Sequence, residues 1–448
     1  MARGGLSLVE RLSYGFGDLG TSLSYNMASG FLLFYYTDVV GLPAAAVGTV
    51  FLIARMLDAV IDMVVGIAVD RTQTRWGRTR PWFAFTALPY ALVTALLFRV
   101  PAWSQGAQIA YAFVTFKALG LLMSLQAIPY TALMPMMTPD TRERLRLSGL
   151  RSVGTSVSVV LGTAATMPLV GLIGGGDRQK GFAGVALVFA GIGLAATFAL
   201  FRNCRERLHD PAPERVALGP ALGAMLTNRA WLVNFLFCLV YFIRFGAMMA
   251  GTAYFAIAVL HRPWMISIML PAVAGMLLLS AFFAPPILSR TGLRRGSVGA
   301  LAIGAVLFAV LPLAEANPIA FLAIYIAACL ATSITTTAAF AMIAEAVDYH
   351  EWRFGVRHEG LLSAGVSLAT KVGMALGTAG FAFVLAASGY APGTQSPGTA
   401  MTLRLAWYGS AVVLLSVQIG IALFWPMDRL KEQIRTDLAA RRIHQGRT

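Results

Sequence analysis

The sequence predicts an all-α integral membrane protein with twelve transmembrane helices in two pseudo-symmetric six-helix bundles. Three observations lead there. Of the 448 residues 58% are hydrophobic and only 12% charged, against about 25% charged in soluble domains. Apolar runs of about 20 residues, long enough to cross a bilayer, recur along the whole chain. Arginines gather in alternate connections, which the positive-inside rule assigns to the cytoplasm. The formal charge of +15 therefore reads as topology and not as a nucleic-acid surface. Cys204, Cys238 and Cys329 are scattered without disulfide or metal spacing. Residues 1–10 are short and polar, so no cleavable leader is expected.

The first span, about residues 12–36, opens with Gly15, Gly17 and Gly20, expected to be close-packing points between helices. Ser22, Asn26 and Ser29 repeat at helical spacing and give one face that can bond a solute or a neighbouring helix. The second span, about 45–69, is interrupted by Arg55, Asp58 and Asp62. Four positions separate the two acids, so both share one helix face, one turn apart. An ionised side chain at the bilayer centre costs about 2.5–3.5 kcal/mol on insertion scales. The fold must compensate both. This span leaves through Asp70, Arg71, Arg75, Arg78 and Arg80.

Spans three to six fall at about 81–99, 107–137, 151–173 and 182–201. The fourth carries Lys117 two turns from Ser124, and Lys117 is expected to snorkel outward, or else to meet an acidic group on the solute or a partner on the seventh span. The polar interval 202–229 separates an N-terminal bundle (1–201), which holds the cation site, from a C-terminal bundle (230–426) and a tail (427–448). Spans seven to twelve are placed at about 231–260, 264–288, 298–314, 318–344, 361–388 and 401–425. The basic turn at 289–297 echoes the one after span two, as an internal repeat would. Twelve spans put both termini in the cytoplasm.

The segments SYGFGDLGTS, FYYTDVVGL, ARMLDAVIDMVVGIAVDRTQTRWGRTRPW and VDYHEWRFGVRHEG, the last followed by Lys371, resemble the glycoside-pentoside-hexuronide:cation symporters of the major facilitator superfamily. The resemblance covers both halves. It implies two bundles around a central cavity with alternating access, and a cation site at Asp58 and Asp62 with Ser124 nearby. It also implies that Lys371 approaches the acids from the other bundle. Departures bear on the solute: the melibiose carrier's two sugar-gripping aspartates align with Ser22 and Ala127, and a tryptophan with Thr131. An asparagine of its cation site aligns with Ile61. With fewer hard oxygen ligands for Na⁺, proton coupling gains weight.

Two neighbouring carboxylates in a low-dielectric site need a partner: Na⁺ held by Asp58 and Asp62, a shared proton, Lys371 or Arg55. A cation that displaces Lys371 would link ion and solute affinities, as symport requires. The alternative is a static ion-pair cluster joining the bundles. The solute cavity is assigned to Ser22, Tyr25, Asn26, Gln126, Ala127, Thr131, Lys117, Arg244 and Ser367, and its two cations favour an anionic solute. A cytoplasmic gate is assigned to Asp70, Arg71, Arg142, Arg151, Arg295, Glu345, Asp348, Arg357 and Glu359. The five histidines are scattered, and no GxSxG, Walker loop or HExxH occurs, so the chain is not read as an enzyme.

The expected protein is a monomeric secondary transporter of the cytoplasmic (inner) membrane. It would move a glycoside, pentoside or hexuronide with Na⁺ or H⁺, partnered by its solute and the lipid bilayer, without a cofactor or nucleic acid. A carrier of amphiphiles such as lysolipids, and a non-transporting sensor or assembly factor on the same fold, are the alternatives.

Overall fold

The computed structural model describes residues 6–138, 140–207, 218–356, 358–390 and 397–445. It is helical throughout. In chain order the helices are α1 (Leu8–Gly15), α2 (Leu19–Phe34), α3 (Ala44–Arg71), α4 (Arg80–Leu97), α5 (Gln105–Met137), α6 (Thr141–Ala164), α7 (Thr166–Gly174), α8 (Arg178–Asn203) and α9 (Leu218–Leu226). There follow α10 (Arg229–Tyr254), α11 (Ile266–Thr291), α12 (Leu293–Val310), α13 (Pro318–Phe354), α14 (Glu359–Ala387), α15 (Pro397–Arg404), α16 (Ser410–Leu423) and α17 (Met427–Gln445).

Every segment expected to span is helical. Among the described residues seven stretches are long and apolar enough to cross a membrane unaided: α5, α8, α10 with its following turn, α12, α13, α14, and α15 to α16. The pair α6 and α7, bent by 48°, makes an eighth.

The expected repeat is visible in the backbone. The helix α2 ends in a π turn, Tyr35–Val39, then Gly41 at φ 87°, Leu42 and Pro43, where α3 begins. The helix α10 ends likewise in a π turn, Phe255–Val259, then His261 at φ 54°, Arg262 and Pro263. His261 is the one non-glycine at positive φ among the described residues, a conformation costly for a residue with a Cβ. Its counterpart in the first half is a glycine.

The chain divides into two compact units that do not follow the halves of the sequence. The first comprises Met1–Pro213, Met249–Gly275 and Thr378–Leu403; the second Glu214–Met248, Met276–Gly377 and Arg404–Thr448. Within the first, α2 packs on α6 and α8, α4 on α5 and α8, and α3 along α5. Gly15 and Gly20 serve as expected: a Cβ on Gly15 would lie 2.6 Å from the Leu150 Cβ, and one on Gly20 would strike Thr197. The basic turn before α4 is clasped by Glu206, whose carboxylate accepts from the Thr79 amide and hydroxyl, both at 2.7 Å, and from the Arg78 amide at 2.8 Å. An anion at a helix N-terminus also meets the positive end of the macrodipole. Within the second unit α12 packs on α13 and α16, and Phe308, Tyr325 and Trp407 form a buried aromatic cluster.

Candidate functional site

The helices α3 and α5 of the first unit build an ionic cluster. Asp58 is only 5% exposed. Its Oδ2 lies 3.5 Å from Nη1 of Arg55, three residues back on α3, and its Oδ1 takes the Lys117 ammonium of α5. Lys117 also donates to the Ala54 carbonyl at 3.4 Å. One turn on, Asp62 accepts the Ser124 hydroxyl, which also reaches the Gly120 carbonyl at 3.1 Å. Arg55 is sandwiched between the rings of Tyr25 and Phe116, at 5.1 and 5.2 Å from their centroids. Among the described residues, two acids, two cations and a hydroxyl therefore stand together.

Gly120 makes this approach possible. A Cβ there would sit 2.8 and 2.9 Å from the two carboxylate oxygens of Asp58. Lys117, Gly120 and Ser124 follow one another along the face of α5 that meets the acids.

A second carboxylate joins α2 to its neighbours. Asp18, just before α2, accepts the Ser22 hydroxyl at 2.9 Å and the Thr155 hydroxyl of α6 at 2.7 Å. Asn26 donates to the Ser22 carbonyl at 2.7 Å, which binds it back to its own helix. Nearby, Arg151 lies over the Tyr130 ring at 4.6 Å and reaches the Thr131 hydroxyl at 3.5 Å.

A long apolar helical chain with acids buried in one helix is the pattern of a carrier, and the relatives agree. The profile of the MFS/sugar transport proteins matches residues 13–429. The chain belongs to that family. It is 31% identical over 448 residues to the isoprimeverose transporter of Lactiplantibacillus pentosus, covering 98% of this chain and 92% of that one. It is 32% identical over 392 residues to the inner membrane symporter YicJ of Escherichia coli (strain K12), covering 86% and 84%. Among solved structures it superimposes on a bacterial homologue of the human lysosomal transporter Spinster, in an inward-facing and occupied form. That match has a TM-score of 0.67, 14% identity, and 93% and 95% coverage, which speaks for the fold alone. The protein is thus a multi-pass membrane member of a transporter family, not of an enzyme family.

Within this MFS sugar transport protein, Arg55, Asp58, Asp62 and Ser124 come together as expected. Lys117 does not. It turns inward to Asp58 instead of snorkelling outward, because the Gly120 face of α5 brings the carboxylate within reach. Lys371 lies on α14 in the second unit. Of the cavity residues, Ser22, Tyr25, Asn26, Ala127 and Thr131 belong to the first unit, as does buried Gln126, which accepts from Thr197 at 3.2 Å. Arg244 and Ser367 belong to the second. Of the gate residues, Arg71 is exposed at the end of α3, Glu345 pairs with Lys431 at 2.6 Å, and Arg295 lines a cavity of about 1170 Å³ with Arg290 and Arg294. Asp348 lies on α13. The side chains of Asp70, Arg142, Arg357 and Glu359 lie outside the described residues.

Sequence reasoning passed over Gly120, Asp18 and Glu206. Gly120 has a readable trace, since it stands between Lys117 and Ser124 at spacings of three and four. Asp18 and Glu206 gain their roles from partners far along the chain, which no local pattern announces.

Proposed function

We propose that this protein carries a sugar or sugar derivative across the cytoplasmic membrane together with Na⁺ or H⁺, by alternating access. The observation that carries this reading is the cluster of Asp58, Asp62, Lys117 and Arg55. A coupling cation joining it adds a positive charge to a buried site where Asp58 already faces two internal cations. The favourable response is for Lys117 to leave Asp58, freeing both a carboxylate and an ammonium. Displacement of an internal cation by an external one makes the ion's affinity depend on the arrangement of α3 and α5. A solute bound against the same helices then shares in that free energy.

The oxygens able to receive a cation are the two carboxylates, the Ser124 hydroxyl and the Gly120 carbonyl. The side chain of Ile61 adds none, so a proton suits the set at least as well as Na⁺, which takes several hard oxygens. In this reading residues 1–201 and 230–426 form the two moving bundles, both termini are cytoplasmic, and the gating charges lie on the cytoplasmic side. The protein works as a monomer, and the relatives' solutes, isoprimeverose among them, set the substrate class to test first.

The test is uptake into proteoliposomes under an imposed Na⁺ or pH gradient. The parent is expected to concentrate a glycoside uphill under one gradient. The double variant Asp58→Asn, Asp62→Asn should only equilibrate it; uphill accumulation by that variant would refute the coupling role.

A further inference from the structure

Arg244 sits on α10 in the second unit and is 5% exposed. A guanidinium keeps its proton in any protein environment, so this group cannot escape its charge as a buried lysine can. Other buried or partly buried cations have an acid, Lys117 and Arg55 in Asp58, Arg11 in Glu143 at 3.0 Å and Arg404 in Glu315 at 2.8 Å, or a backbone oxygen, as Arg80 has in the Phe201 carbonyl. Arg244 has none among the described residues. Its Nε donates to nothing, and Nη1 reaches only the Met248 sulfur at 3.6 Å, a weak acceptor. The remaining support is the Tyr241 ring, 5.3 Å away, and stacking returns far less than burial of an unpaired ion costs.

A second orphan donor lies near. Tyr241 lines a small cavity with Thr336 of α13, and the Thr336 hydroxyl is buried without a partner. Two unsatisfied donors, one cationic, thus flank one tyrosine in a helix pair of a transporter. Native interiors rarely leave a buried charge unmatched, and a bound molecule is one source of the missing acceptor. The free Nε edge of a guanidinium is the edge that grips a carboxylate or sulfonate through two parallel hydrogen bonds.

We infer that Arg244 reads an acidic substituent on the solute, so that the transported sugar carries a carboxylate or sulfonate, with Thr336 as a second donor to it. The inference rests on the sugar-transport reading and narrows it. It also replaces the pair of cations expected from the sequence with one, since Lys117 is held by Asp58.

The test is equilibrium binding to the purified full-length protein in lipid nanodiscs, with three probes: methyl β-glucuronide, the corresponding 6-sulfonated glucoside, and neutral methyl β-glucoside. The parent should bind at least one acidic sugar about tenfold or more tightly than the glucoside. Arg244→Gln should remove roughly a hundredfold of the acid affinity, as expected for loss of a charge-assisted pair, and so abolish the preference for acid over glucoside. Arg244→Lys, a charge without the fork, should fall between. With no ligand present, Arg244→Gln should melt at a higher temperature than the parent, since it removes an unpaired buried charge; a residue with a purely structural role would melt lower. A parent that binds and accumulates the neutral glucoside as well as the acids keeps the transport reading and overturns this inference. Acid preference that survives Arg244→Gln overturns it too, as does a parent that binds neither acidic sugar.

Discussion

Breaking the Asp58 to Lys117 pair from one side should be costly, and removing both partners should be cheap. The pair lies between side chains 6% and 16% exposed, so solvent screens it little. Asp58→Asn leaves Lys117 and Arg55 facing each other in the protein interior without their carboxylate. Removing one partner of a buried pair typically costs about 3–5 kcal/mol, whereas replacing both by neutral groups of similar volume is often close to neutral. Lys117→Met should cost less than Asp58→Asn, because Arg55 remains 3.5 Å from the acid. The double variant should recover most of the loss, with a coupling energy of about 2–3 kcal/mol. Equilibrium unfolding of the four proteins in mixed micelles measures the cycle. Uphill uptake in proteoliposomes should show the double variant stable but uncoupled, separating the structural work of the pair from its transport work. Additivity of the two single changes within about 0.5 kcal/mol would show that the two groups do not meet, and would refute the displacement mechanism.

Gly120→Ala should abolish ion stimulation of uptake and lower stability. In an open helical position the same change gains up to about 1 kcal/mol, so a stability gain would mean Asp58 does not lie against α5. Asp38, beyond the end of α2, accepts the Tyr390 hydroxyl at 2.6 Å and the Thr37 hydroxyl at 2.8 Å; Thr37 also meets the Tyr254 hydroxyl at 2.6 Å. Burial raises the Asp38 carboxyl above its usual 3.8. The folded protein therefore binds more protons at this site than the unfolded chain. Its contribution is fully present below the unfolded value and is lost as pH rises through the raised folded one. Asp38→Asn should flatten the fall in melting temperature across mildly acidic pH, and an unchanged slope would exclude Asp38 as its source.

Several parts of this architecture are legible before any coordinates. Apolar length locates the helices, and the 3.6-residue period places Asp58 and Asp62 on one face whatever surrounds them. The paired basic turns hint at the repeat that the two π turns and their positive-φ residues make concrete. The bend between α6 and α7 also has its marker: Pro168 cannot donate to the Ala164 carbonyl and its ring crowds that group, which breaks the helix at Ala165.

The sequence by itself determined that this chain lives in a membrane, that it carries ionisable groups where lipid forbids bare charge, and that two acids act as neighbours. These are consequences of composition and of helical periodicity, both local. Only the tertiary structure decided who neutralises them. Lys117 is 59 residues from Asp58 in sequence, and its choice between solvent and carboxylate depends on how closely two helix backbones approach. One missing Cβ at Gly120 sets that distance, and periodicity within a single helix carries no information about it.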